Sequence, residues 1–172
     1  MEVRRARAED AAQIAEVHVR SWQAAYHGLI PQDYLDGLDP ARSVEGRARH
    51  IREVDWARGG VLVAQDGTGL VGFANFCPTR DEDESPEHVG EIAAIYLAPS
   101  AWGKGFGRQL MTIALEHLTG VGYQQVTLWV LDTNMRAQRF YAAAGFHADG
   151  ADKLDDRGIF QLRELRYRRP LP

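Results

Sequence analysis

The chain has 172 residues, 45% of them hydrophobic and 26% charged, which suits one globular domain with a sizeable core. A formal net charge of −4 leaves no electrostatic footprint for nucleic acid or an anionic membrane, and no apolar run approaches the roughly 18–20 residues that span a bilayer. With Cys77 as the only cysteine there is no intrachain disulfide, and MEVRRARAED lacks the apolar stretch of a secretory signal, so a cytoplasmic protein is expected.

In chain order, Val3 to Ala6 reads as a short first strand. Glu9-Asp10 then opens a helix with acidic residues at its positive end; Ala15, Trp22 and Tyr26 share one face and Gly28 closes it. Pro31 starts a second short helix carrying Tyr34, Leu35 and Leu38, and Asp39-Pro40 begins a third helical pattern reaching about Trp56. Val61–Ala64 and Leu70–Phe76 read as a strand pair across the turn Asp66-Gly67-Thr68-Gly69. The acidic stretch Asp81 to Glu87 cannot pack and is predicted to be a loop. Ile92–Leu97 is a buried strand, followed by the turn WGKGFG (Trp102 to Gly107) and a helix marked by Leu110, Ile113, Ala114, Leu118 and Val121. Val126–Leu131 is another buried strand, and Asp132, Thr133 or Asn134 caps a helix that ends at Gly145. Closing strands are expected near Phe146 and from Ile159 to Tyr167, with the arginines at 163, 166, 168 and 169 decorating an edge. This order predicts a single α/β (or α+β) layered domain over residues 1–172, with a mixed sheet and two strand–helix units at its centre.

The glycine-rich turn is the first feature with chemical content. A helix that begins after it leaves its first N–H groups without partners, at the positive end of the helix dipole. Gly103, Gly105 and Gly107 lack Cβ atoms, and Lys104 and Arg108 add charge, so a phosphate-bearing cofactor is expected there. The turn is not a P-loop, which needs GxxxxGK followed by Ser or Thr. A dinucleotide fingerprint fails too, because Arg108 stands where its third glycine belongs. A third design is the one the turn resembles, the coenzyme A pyrophosphate loop of the GNAT N-acetyltransferases, whose pattern in that family is Gln/Arg, two residues, Gly, one residue, Gly/Ala. Gly105 and Gly107 match it and Trp102 replaces the Gln/Arg. Downstream, Asn134, Ala137, Phe140, Tyr141, Gly145 and Phe146 form N-x-x-A-x-x-F-Y…G-F. On a helix Asn134, Ala137 and Tyr141 share one face, with Asn134 and Tyr141 about 10.5 Å apart along the axis, which suits an elongated ligand.

With both motifs in place, the whole chain resembles the GNAT family of N-acetyltransferases. The resemblance implies the acyl-CoA N-acyltransferase fold: a mostly antiparallel sheet whose central parallel strands splay apart beside a bulge, with helices on both faces. It implies acetyl-CoA as cofactor and transfer of its acetyl group to a primary amine by direct attack in a ternary complex. The cofactor would contact Trp102 to Arg108, Asn134 and Tyr141, and the backbone of Ile95, Tyr96 and Leu97 would pair with its pantetheine arm like an extra strand. Tyr141 would protonate the leaving thiolate or orient the sulfur by hydrogen bonding. Glu91, at the start of the central strand, would deprotonate the amine directly or through water. Dimerisation is common in the family.

The acceptor is less legible. Trp22, Tyr26 and Tyr34 are candidates to wall its pocket, and the acidic loop 81–87 could draw in a cationic amine or be merely solvated. The six histidines have no metal-ligand spacing, so no metal is expected. A small-molecule or peptide amine is the expected partner; the rival reading is a non-catalytic acyl-CoA-binding module.

Overall fold

The computed structural model describes residues 2–172. One seven-stranded sheet carries the molecule, in the order β1 (Glu2–Arg5), β2 (Gly60–Asp66), β3 (Gly69–Pro78), β4 (Val89–Leu97), β5 (Gln125–Leu131), β7 (Gln161–Pro170), β6 (His147–Asp156). Every neighbouring pair is antiparallel except β4 and β5. A parallel pair needs a crossover, and the helix α4 (Phe106–Val121) provides it. Helices α1 (Ala11–Ala25) and α3 (Val44–Glu53) cover one face, while α4 and α5 (Met135–Ala143) cover the other; α2 (Gln32–Asp36) packs near the far ends of β5 and β7.

The apolar pattern explains the layering. Leu110, Ala114 and Leu118 of α4 fall at helical spacing and pack on Phe76, Ile92, Val126 and Leu128, all nearly or fully buried. On the opposite face Ile14 and Val17 of α1 meet Val63 and Phe73. Truncating a side chain as enclosed as Leu118 to alanine costs about 2–5 kcal/mol.

Two sequence expectations change. The third helix is shorter than its pattern, because Pro40–Ser43 forms a 3₁₀ turn before α3 and Val54 leaves helical geometry. The arginines of β7 do not decorate an edge, since β7 lies between β5 and β6. Alternation along β7 turns Arg166 and Arg168 inward beneath the acidic loop. Arg166 is only 6% exposed and donates to Asp149 (2.7 Å), Asp83 (2.8 Å) and Asp81 (3.3 Å). Arg168 donates to Glu84 and to Asp149. Hydrogen bonding to Asp83 and Asp149 raises the Arg166 pKa against the opposing effect of burial. Three of the loop's carboxylates, Asp81, Asp83 and Glu84, are thus tied to β7 by charge-assisted hydrogen bonds.

Candidate active site

The parallel seam is short. β4 and β5 pair only from Val89–Gln125 to Glu91–Thr127. Between Phe76↔Ile92 and Asn75↔Ala94 the register of β3 and β4 slips by one residue, which puts a bulge at Ala93. The bulge bends β4 away from β5 and opens a gap. The Ala98 N–H donates to the Val71 carbonyl, so Ala98, Tyr96 and Ala94 direct their backbone groups at β3. Ile95 and Leu97, at the alternate positions, direct theirs into the gap. The Leu97 carbonyl accepts from Trp102 Nε1 at 3.0 Å, leaving the Leu97 N–H and both groups of Ile95 without strand partners. Tyr96 is therefore not a backbone ligand as the sequence suggested; it contributes its side chain instead.

The gap widens into a cleft of about 450 Å³. At one end lies the glycine turn. Gly103 (φ 73°) and Gly105 (φ 88°) are left-handed, a conformation that strains any residue with a Cβ, and nothing lies within 4 Å of where such a Cβ would stand. The N–H groups of Gly105, Phe106, Gly107 and Arg108 have no acceptor among the described residues. Trp102, Gly103, Gly105, Gly107 and Arg108 line the cleft, whereas Phe106 is buried in the core and Lys104 is exposed outside it. The Trp102 ring carries the guanidinium of Arg136, 3.6 Å from its centroid. Arg136 also lines the cleft. Sequence reading passed over it; the signal was its place two residues after the cap of α5, beside the loop that lacks its Gln/Arg.

Along the wall stands α5. Asn134 caps it, its Oδ1 accepting from the Ala137 N–H at 3.1 Å, which leaves its NH₂ group and one Oδ1 lone pair for a ligand. Tyr141 faces the cleft with its ring edge-on to Phe140 and Phe146. Burial pushes its phenol well above the ordinary tyrosine range.

The other end of the cleft is walled by Ser21 and Trp22 of α1, by Tyr26 at its C-cap, and by Arg157, Leu162 and Glu164. Trp22 Nε1 is buried without a hydrogen-bond partner among the described residues. Tyr34 does not reach the cleft: it packs on Phe160 and accepts a hydrogen bond from Arg157 at 3.2 Å, so its effect is to orient that arginine. Glu91 is also set apart. Its side chain is 2% exposed, and Arg80 holds both carboxylate oxygens through its main-chain N–H (3.0 Å), Nε (3.1 Å) and Nη2 (2.6 Å). The carboxylate that does line the cleft is Glu164, whose pKa burial raises while Lys153 at 3.6 Å pulls it back. Its sequence signal was parity: with Leu162 and Arg166 it shares the inward side of β7.

Comparison with known proteins completes the description. The model of the acetyltransferase (GNAT) family matches residues 11–146. The chain belongs to the GNAT family. It is 40% identical over 165 residues to the uncharacterized N-acetyltransferase YuaI of Bacillus subtilis (strain 168), covering 95% of this chain and 89% of that protein. It is 37% identical over 93 residues to mycothiol acetyltransferase of Geodermatophilus obscurus, covering 54% of this chain and 30% of that protein. Among solved structures, the PaiA N-acetyltransferase from Thermoplasma acidophilum in complex with coenzyme A superposes with a TM-score of 0.75 at 20% identity, covering 98% of each chain. A likeness at that identity speaks for the shared GNAT fold, whose splayed sheet this chain has. No helix among the described residues is long and apolar enough to cross a membrane, and no cluster of His, Cys, Asp and Glu among them could hold a metal ion.

Proposed function

We propose that this GNAT protein transfers the acetyl group of acetyl-CoA to a primary amine, both substrates being held at once in the cleft. One observation carries the reading: the unpaired amides at the start of α4 and the unpaired backbone groups of Ile95 belong to one cleft, which Asn134 and Tyr141 also line.

The residues present fit such a cofactor. The free amides at the start of α4 can donate to negative phosphate oxygens, with Arg108 and the stacked Arg136 adding charge. The Asn134 NH₂ and the gap-facing groups of Ile95 and Leu97 suit the amides of a pantetheine arm. Acetyl-CoA, when bound, supplies the activated acetyl thioester.

The chain's own groups then divide the work. The Ile95 N–H, fixed by the bulge, stabilises negative charge growing on a carbonyl oxygen, as a rigid backbone donor does best. The Tyr141 phenol, kept protonated by burial, donates to the departing sulfur. An attacking ammonium must first lose a proton. Glu91 has both oxygens committed to Arg80, so we assign that task to Glu164, whose raised pKa brings it closer to neutrality.

The test is an acceptor screen that detects released thiol, run with acetyl-CoA and a panel of polyamines, aminoglycosides, amino acids and N-terminal peptides. At least one amine should release thiol and gain an acetyl group by mass. Tight acetyl-CoA binding with no amine ever acetylated would overturn the reading in favour of a non-catalytic acyl-CoA-binding module.

A further inference from the structure

A second cavity, of about 350 Å³, lies on the α1/α3 face of the sheet, and Ala94 and Tyr96 line both it and the cleft. His18 stands near the boundary, its ring 5.0 Å from Tyr96 and 5.5 Å from Trp22. Most of the lining is apolar, which makes Arg47 conspicuous. Its guanidinium sits 5.4 Å from the Phe73 ring centroid, and its only side-chain hydrogen bond among the described residues goes from Nε to Ser43 Oγ at 3.1 Å. Arg42 and Arg49, on the same stretch of chain, each have a carboxylate within 4.0 Å; Arg47 and Arg52 have none among the described residues, and of these two only Arg47 is half-buried.

A half-buried guanidinium without a counter-ion is costly, and its remaining N–H donors want an anion. His18 adds no charge there, since burial lowers its pKa to about 4. One cation matches one negative charge and a planar, bidentate acceptor, which describes a carboxylate better than a doubly charged phosphate.

We propose that this second cavity is the acceptor's anchoring pocket: Arg47 binds a carboxylate while the acceptor's amine passes beside Ala94 into the cleft, so the substrates are small amino carboxylates. The inference rests on the acetyl-transfer reading of the cleft. Ala94 and Tyr96, shared by the two linings, mark where the cavities adjoin, with His18 packed against Tyr96 there.

The experiment compares acids with amines. Glycine, β-alanine, 4-aminobutyrate, 6-aminohexanoate, methionine and phenylalanine are each titrated calorimetrically into the coenzyme A-loaded protein beside the amine lacking the carboxylate. At least one acid should bind tenfold or more tightly than its partner amine, and Arg47→Gln should erase that preference. Arg47→Met, which keeps the stem packed on Phe73 if the glutamine variant is unstable, should erase it too. The proposal falls if no pair is separated, if the preference survives in both variants, or if only inorganic phosphate binds in an Arg47-dependent way. Released thiol is read in parallel. Discriminating binding without turnover keeps the carboxylate pocket and removes acetyl transfer, whereas turnover of acids and amines alike removes the pocket and keeps acetyl transfer.

Discussion

Arg80 encloses the carboxylate of Glu91 with three hydrogen bonds, one from its main chain and two from its guanidinium. The pair joins the start of the acidic loop to the short seam where β4 still touches β5. Because the Arg80 side chain is largely exposed, losing the pair should cost less than a fully buried ion pair does, about 2 kcal/mol for Glu91→Gln. Such a loss lowers the melting temperature by roughly 4–8 °C in a chain of this size. Turnover per folded molecule should stay within about tenfold of the parent, whereas Glu164→Gln should lose about a hundredfold or more in kcat. The opposite ranking in kcat would return the base role to Glu91.

Tyr141→Phe separates proton donation from binding. We expect kcat to fall about a hundredfold while the Kd for acetyl-CoA, measured by calorimetry, hardly moves. Because burial raises the phenol's pKa, kcat of the parent should show no alkaline loss up to the ordinary tyrosine value of about 10.

The Trp102–Arg136 stack should hold part of the cofactor affinity. Arg136→Ala removes the charge and Trp102→Ala removes its platform, so each should weaken coenzyme A binding by about tenfold. Their combined effect should be well short of the product of the two, since both delete one interaction. The Arg136 contribution should shrink as salt is raised, and calorimetry at two ionic strengths checks this.

His18 should set part of the acid limb of stability. Its pKa is lowered from 6.5 to about 4 in the folded protein, chiefly by burial and further by Arg47 and Arg157. A depressed pKa means the stabilisation is complete above about pH 6.5 and disappears as pH falls towards 4. Its full size is about 3 kcal/mol. Chemical denaturation of His18→Gln at pH 7 and pH 4.5 should show a smaller difference between the two than the parent does. Asp10, whose pKa is lowered by its hydrogen bonds from Arg4, acts below that window.

The fold was largely legible because its signals are local. Helical spacing in α4, the hairpin chemistry at residues 66–69 and the capping Asn134 each act within a few residues. The glycine turn and the face shared by Asn134 and Tyr141 are also short-range patterns, so their meeting in one cleft could be sketched from the chain alone. What escaped was set by strand order and by pairings far apart in sequence. Arg166 reads as an edge residue until β6 is placed outside β7. Glu91 reads as a free carboxylate until Arg80, eleven residues earlier, folds back on it. Glu164 gains meaning only when β7 is laid against the end of β5, where it faces Leu131.

The three-residue seam between β4 and β5 has a mechanical consequence. The sheet is two plates, β1–β4 and β5–β7, whose backbones are riveted together over the short stretch from His88 to Glu91. Beyond that rivet the amides of Ile95 and Leu97 have no cross-strand lock, so their hydrogens should exchange with solvent quickly in the empty protein. A pantetheine arm laid between the plates would act as mortar, slowing that exchange and making the two plates unfold as one.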